Sequence, residues 1–597
     1  FEPGTYSFAD HTDYVTGGGS LTVTQEPLSE PGETFTWTGA GADNAVETPE
    51  NWDRAPVFNR TAQLVFAGTA KTAVTVNSDV KAYSVTFSGD ADYTVSAGGT
   101  AGRLTVYKTL ATAASNRAVT VSAPVSVPLE NGEWNVAAGT TLQMDGAISG
   151  GSTNCEIWQR GAGVMKLAGD NRGFLSKLVV TNGMTWAQHE WALGSDQRPF
   201  MFYGDASADD YNSRGGQKVS RYLRFDPEGR AATRLGSSTP LLMTNYTPVA
   251  FCGFPGMFVP NKTKPDGTGA VNPGYTVVFV KPLVKVAGGY NGNMILSYWF
   301  STLALDGGLS VDAEDSATLT QDGGILHVNG PFSGSKFVLV AVSKDNITLA
   351  ASGESALGTL NLMYNSVKVA RDGMFAECAA PPVFQFGVSW STSTAELDLD
   401  GCDASFRHLE TMNVNVNYSV SSPAGKPAVV RLTDSADWGG AVVRLRFTGE
   451  AGLVHSGSGL QRFDIASDTA APLVVEAGTV LFVTSGGWQG STNVTVRGTG
   501  TIKAMYKTAG KVFSADAATS EVVLSVEGGG KLDLGGDGCS ANPAAGLAAG
   551  TEIVKRLYVN GVGKDRGDYT SANCSFVKSG TLRVLRSSNP GTVILFQ

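Results

Sequence analysis

Charge is scarce in this chain of 597 residues: Asp, Glu, Lys and Arg make up 16% of it, against a usual ~25%. The 44 basic and 54 acidic side chains leave a net charge of −10, and no basic run exists that could neutralise a phosphate backbone, so nucleic acid is excluded as a partner. No apolar run approaches the ~18 residues that cross a bilayer, so no membrane span is expected. The opening "FEPGTYSFAD" has neither the charged nor the apolar region of a secretory signal, and the expectation for an exported chain is that the signal is already removed. Cysteine is rare: the six stand at 155, 252, 378, 402, 539 and 574 and never as CxxC, which excludes zinc-finger and thioredoxin-like readings. Cys378 with Cys402 and Cys539 with Cys574 are near enough in sequence for disulfides, and buried free thiols fit equally well. The five histidines, His11, His189, His327, His408 and His455, are isolated, and His189-Glu190 is not continued into HExxH, so no zinc site is expected. G-x-S-x-G and phosphate-loop patterns are absent; "GGGKLDL" lacks the Ser or Thr after its lysine. No cofactor is expected.

Glycine is what the chain has instead, 74 residues, about one in eight against a usual ~7%. Between the glycines the apolar residues alternate, as in Val74 and Val76, Tyr93 and Val95, Val119 and Val121, Leu142 and Met144. Period two means strand, and Gly, Asn, Asp, Ser and Pro fill the gaps as turn residues. No amphipathic helical stretch of ten residues is present, so the chain reads as nearly all β. Strands of three to five residues bounded by turns favour a parallel β-helix with rungs of roughly 20 to 25 residues, the alternative being tandem β-sandwiches. "GAGVMKLAGDNRGFLSKLVVTNG" (161–183) shows the unit: Val164-Met165-Lys166-Leu167, a turn at Gly169 to Gly173, Leu178-Val179-Val180, then Asn182-Gly183.

Residues 161–195, with G-x-G-x-x-x-L-x-G-x-N, a valine strand and A-L-G, resemble the passenger-associated transport repeat, or autotransporter-associated β-strand repeat. Upstream, Trp37, Gly39, Asn51 and Trp52 in "TWTGAGADNAVETPENWD" are similar to the opening of large repeat-bearing bacterial surface proteins. "YVNGVGKDRGDYTSANCSFVKSGTLRVL" (558–585) resembles their final unit. The resemblance implies a right-handed parallel β-helix on an exported bacterial protein, extracellular or at the cell surface, and names no activity. It departs from an autotransporter in that no translocating β-barrel follows residue 597.

The expected organisation is an N-terminal strand segment and linker at 1–33, β-helix at 34–195, a loop-rich insertion or subdomain that breaks the pattern at 196–300, β-helix at 301–450, and a repeat-like C-terminal β-helix with a terminal strand at 451–597. Recognition is expected in the insertion. In it Asp209, Asp210, Arg214 and Arg221 supply the residue types of polysaccharide-processing sites, and in or just before it Trp186, Trp191, Tyr203 and Tyr211 could stack on sugars. "ELDLDGCD" puts Glu396, Asp398 and Asp400 on one strand face, read as a solvated face rather than a calcium site. Tyr6 and Phe8 at one end and Val593, Ile594, Leu595 and Phe596 at the other are strand edges suited to head-to-tail pairing. The expected function is a structural or adhesive surface protein, self-assembling into a filament or surface layer, with itself or surface glycans as partner. The alternatives are a polysaccharide lyase or glycoside hydrolase on the same scaffold, and a non-catalytic glycan-binding protein.

Overall fold

The computed structural model describes residues 4–8, 19–23, 30–113, 116–203, 221–225, 241–252, 256–258, 275–286, 293–298, 302–311, 316–322, 324–341, 346–351, 355–435, 443–514, 516 and 519–588. Strands make up 51% of the chain and the fold is a β-solenoid of about 15 turns; no described residue is α-helical. The parallel stacking expected from the alternation is therefore the observed architecture, and the sandwich alternative is not. The chain divides into two compact units, 1–183 and 184–597.

In the first unit three ladders of parallel strands stack rung on rung. One runs through Ala73–Val76, Tyr93–Ala97, Ala118–Val121, Thr141–Met144 and Val164–Leu167. Its register sets Val74, Val95, Val121, Met144 and Leu167 in a column, all 0% exposed. A second column holds Phe35, Leu64, Val85, Leu110 and Trp134, and a third Val80, Leu104, Val125 and Ile148. A parallel strand has no hairpin to fix its register, so the columns do it: a one-residue slip turns every apolar side chain outward. Each buried aliphatic or aromatic side chain contributes roughly 1.5–3 kcal/mol relative to exposure. Trp37, Phe66 and Phe87 continue one column as aromatics, with Phe66 and Phe87 stacked at 5.0 Å.

The glycines of the 161–169 motif have a packing reason. A Cβ at Gly161, Gly163 or Gly169 would lie 2.0–2.3 Å from a carbonyl oxygen of the rung before, that of Val136, Ala137 or Gly146. Backbone approaches backbone where the coil turns, and only glycine leaves room.

In the second unit the rung pattern does not break at 196, contrary to expectation. Phe200–Tyr203, Val249–Cys252, Leu283–Lys285 and Leu309–Val311 form one parallel ladder. Arg221–Phe225, Gly256–Phe258, Asn293–Tyr298 and Ser316–Asp322 form another, and Leu241–Asn245, Tyr275–Phe279, Thr302–Leu305 and Ile325–Val328 a third. The period was hidden because residues 204–220, 226–240 and 259–274, which lie outside the described residues, separate the strands in sequence. Further along, Val430, Leu453, Leu473, Val494, Leu524 and Leu557 form an unbroken column, each 0% exposed.

Among the described residues, the ladder carrying Ala317, Phe337, Leu360, Phe384 and Leu409 inward has Leu409–Thr411 as its last strand. There the buried side-chain amide of Gln461 accepts from the Leu409 N–H and donates to the Leu409 carbonyl, both at 3.2 Å. The amide makes the bonds the next strand would have made.

Short segments cover outer strand edges in both units, antiparallel except where Ala45 bridges Thr75 in parallel. Residues 38–53 fold back over the first rung: Trp37 bridges Trp52 antiparallel, and the N–H groups of Thr38 and Asp53 donate to Asn51 and Thr36. The N–H of Val46 donates to Thr75, whose own N–H donates to Asn44, and the Glu47 carboxylate accepts from the N–H groups of Asn77 and Ser78. Asn51, fully buried, fixes this segment by donating to the Asp43 and Ala45 carbonyls and accepting from the Gly41 N–H. In the second unit, Asn560 (φ 49°) and Gly561 (φ 78°) make a tight turn. It lays Val562–Gly563 antiparallel on Arg556–Val559, while Gly567–Thr570 covers Thr581–Val584. Covering edges in this way prevents open-ended strand addition.

Candidate functional site

Of the sequence-predicted ligand-binding candidates, the side chains of Trp186, Trp191 and Tyr203 are among the described residues. Trp186 sits half-buried in strand Gly183–Ala187. Trp191 is half-buried and stacked on Tyr246, centroids 4.7 Å apart at 11°, so one of its faces is taken. Tyr203 ends strand Phe200–Tyr203, half-buried. Asp209, Asp210, Tyr211 and Arg214 lie outside the described residues, and of Arg221 only the backbone is described, within Arg221–Phe225. Tyr6 and Phe8 belong to Gly4–Phe8, which already pairs antiparallel with Gly19–Val23; Val593, Ile594, Leu595 and Phe596 lie outside the described residues.

The cysteines are all free thiols, so the alternative of Cys378–Cys402 and Cys539–Cys574 disulfides is resolved against them. In the acidic stretch, Lys368 (2.6 Å) and Lys426 from neighbouring rungs bind Asp400, and their hydrogen bonds hold its carboxyl below the usual range. Asp398 is pushed up, mainly by burial. Two lysines where a cation would sit leave a salt-bridged face, and no group of metal-ligating side chains occurs among the described residues. Similar pairs one rung apart recur at Asp79–Arg103 (2.9 Å) and Glu156–Lys177 (3.3 Å); partly exposed and screened by water, such pairs add little to stability.

Two constellations escaped the sequence reading. The first centres on His408, which is 2% exposed. Its Nδ1 lies 2.8 Å from Asp434 and its Nε2 2.8 Å from Glu410, and Glu410 also accepts from Gln385 at 2.6 Å. The histidine's bond, the largest cause, draws the Glu410 carboxyl below its ordinary range. A carboxylate on each ring nitrogen holds the imidazole from two sides, and the cluster reads as a clamp across rungs. Glu410 follows His408 by two residues across the start of strand Leu409–Thr411, and Asp434 is 26 residues away, one coil on. A search for short motifs cannot find a partner at that separation; a search at the rung period could have.

The second lies at one corner of three successive coils, after strands 359–362, 383–386 and 409–411, which are in register. Trp390 is 72% exposed, Val414 48% and Met412 38%, and Tyr364 meets the Trp390 ring edge-on at 6.3 Å. The corner is braced: Asn413 donates to the Ser391 carbonyl at 2.7 Å, and Arg444 donates to the Val414 carbonyl and to Asn417.

A buried pair of opposite charge also stands in the second unit. Glu552 accepts from the Val512 N–H at 2.8 Å, and burial pushes its carboxyl up to about 7. Lys507 donates to the Gly486 carbonyl, and burial lowers its ammonium to about 8.

No family model matches this chain, and neither a curated protein nor a solved structure matches it. What stands is a β-solenoid with braced corners and covered edges.

Proposed function

We propose that the chain is a structural scaffold of an exported bacterial surface protein, a stack of coils that displays side chains from its corners. The observation that supports this reading is the coincidence of motif and cover. The stretch with Trp37, Gly39, Asn51 and Trp52 and the stretch from Tyr558 to Leu585, the two most similar to surface-protein opening and closing units, are where antiparallel segments cover outer strand edges. Covered edges favour a discrete scaffold over a head-to-tail filament, because a partner strand needs free N–H and C=O groups. Antibodies raised against the purified chain test the location: they should stain intact cells of the producing organism. Staining only after permeabilisation would overturn the reading. Sedimentation of the purified chain tests the covers, with a concentration-independent monomer expected and end-to-end growth against it.

A further inference from the structure

We infer that the corner built from Tyr364, Trp390, Met412 and Val414 is a binding site for a neutral glycan chain lying along the stack. This goes beyond the scaffold reading and does not depend on where the protein resides. Large apolar side chains grouped on a surface mark a place where something is bound, and here they repeat on successive coils. Parallel strands in register stack ~4.8 Å apart, so the corner offers an apolar step at each rung. A pyranose is of comparable length and presents apolar C–H groups on its ring faces with hydroxyls round its edge. Trp390 is braced by Tyr364 at 6.3 Å and 72°, a geometry that meets the indole with a ring and leaves most of its surface open.

The rim decides which ligand. Residues 387–394, "GVSWSTST", and 412–417, "MNVNVN", contain no Asp, Glu, Lys or Arg. Hydroxyls and amides there both donate and accept, which suits sugar hydroxyls, and the guanidinium that reaches this corner, Arg444, is bonded to the Val414 carbonyl and to Asn417. The absence of cations in these two segments also disfavours an anionic membrane surface. A second copy of the chain is disfavoured by size, since a stable interface buries ~800 Å² on each partner and this stripe is four side chains. The site is preorganised: besides the Asn413 and Arg444 bonds, the Asn415 N–H donates to Asn413 at 2.9 Å and the Ser393 N–H to Ser391 Oγ at 3.1 Å. Little ordering entropy remains to oppose binding.

The test uses the full chain and soluble laminarin, glucomannan, xylan and dextran, with heparin, polygalacturonate and zwitterionic lipid vesicles as contrasts. At least one neutral polymer should bind in calorimetric titration. Trp390→Ala should weaken that binding at least about tenfold, in line with loss of an aromatic anchor, while the urea midpoint stays unchanged. The neutral polymer should also shield tryptophan fluorescence from iodide in the native chain and much less in Trp390→Ala. The inference is overturned if no neutral polymer binds, if Trp390→Ala binds as tightly as the native chain, or if only the charged polymers or vesicles bind. It is also overturned if native chain dimerises in sedimentation and Trp390→Ala abolishes the dimer.

Discussion

Replacing Trp52 by alanine puts the N-terminal cover to a quantitative test. The indole is 5% exposed, with ring centroids at 5.4 Å to Trp37, 5.5 Å to Phe66 and 6.2 Å to Phe58, and its N–H donates to the Val46 carbonyl at 2.7 Å. An aromatic side chain buries ~150–250 Å², which at about 25 cal/mol per Å² is roughly 4–6 kcal/mol as an upper estimate. Core Trp→Ala changes cost about 3–5 kcal/mol, and leaving the Val46 carbonyl without its donor adds about 1 kcal/mol. A loss of about 5 kcal/mol is therefore expected, or roughly three to four orders of magnitude in local protection. Stability in a stack of coils passes between neighbours, so the loss should be local. Hydrogen exchange followed by mass spectrometry should show fast exchange over 34–53, carrying the Thr38 and Asp53 N–H groups, and near-native protection at Val164–Leu167. A uniform loss across the first unit, or a change below about 1 kcal/mol, would refute the idea that these residues are an end cover with its own packing.

Three other outcomes are expected. Gly161→Ala should destabilise the first unit by more than the ordinary core cost of about 1 kcal/mol, because its Cβ would meet the Val136 carbonyl oxygen at 2.0 Å; an unchanged urea midpoint would contradict the close rung approach. His408→Ala removes the ring that Asp434 and Glu410 both bind and should cost the second unit about 3 kcal/mol, with a denaturant-derived loss below about 1 kcal/mol counting against the clamp. The buried pair predicts a pH profile. Glu552, raised to about 7 from 4.5, contributes stability that is present below pH 4.5 and lost as pH rises through 7. Lys507, lowered to about 8 from 10.5, contributes stability present above 10.5 and lost as pH falls through 8. The urea midpoint of the second unit should therefore be lowest between about pH 7 and 8, and Glu552→Gln should flatten its acid limb; an acid limb that survives in Glu552→Gln would show the carboxyl is not its source.

The wall strands were legible because their signal is local. The buried residues Val74 and Val76, Tyr93 and Val95, and Leu142 and Met144 are those whose alternation marks them, since a side chain's face on a strand depends only on its neighbours two residues away. Strands between 200 and 298 were missed for a related reason: "FMFY" and "VAFC" are buried at successive positions, so they do not alternate, and long intervening segments hide the period. The His408 clamp and the Trp390 corner were illegible because coil stacking, at separations of 22 to 30 residues, assembles them. Trp37, Gly39, Asn51 and Trp52 were picked out by resemblance, but their task emerges only from the edge that residues 44–53 occupy.

The Gln461 amide works like a patch on a seam, taking up the N–H and carbonyl that Leu409 turns away from its own ladder. The carboxamide at Leu409 lets the cross-section be redrawn within a run of coils without leaving dangling bonds. Duplication or deletion of a whole coil should then be tolerated on either side of that seam, while a shift of a single residue between 409 and 461 would misplace the one side chain that seals it.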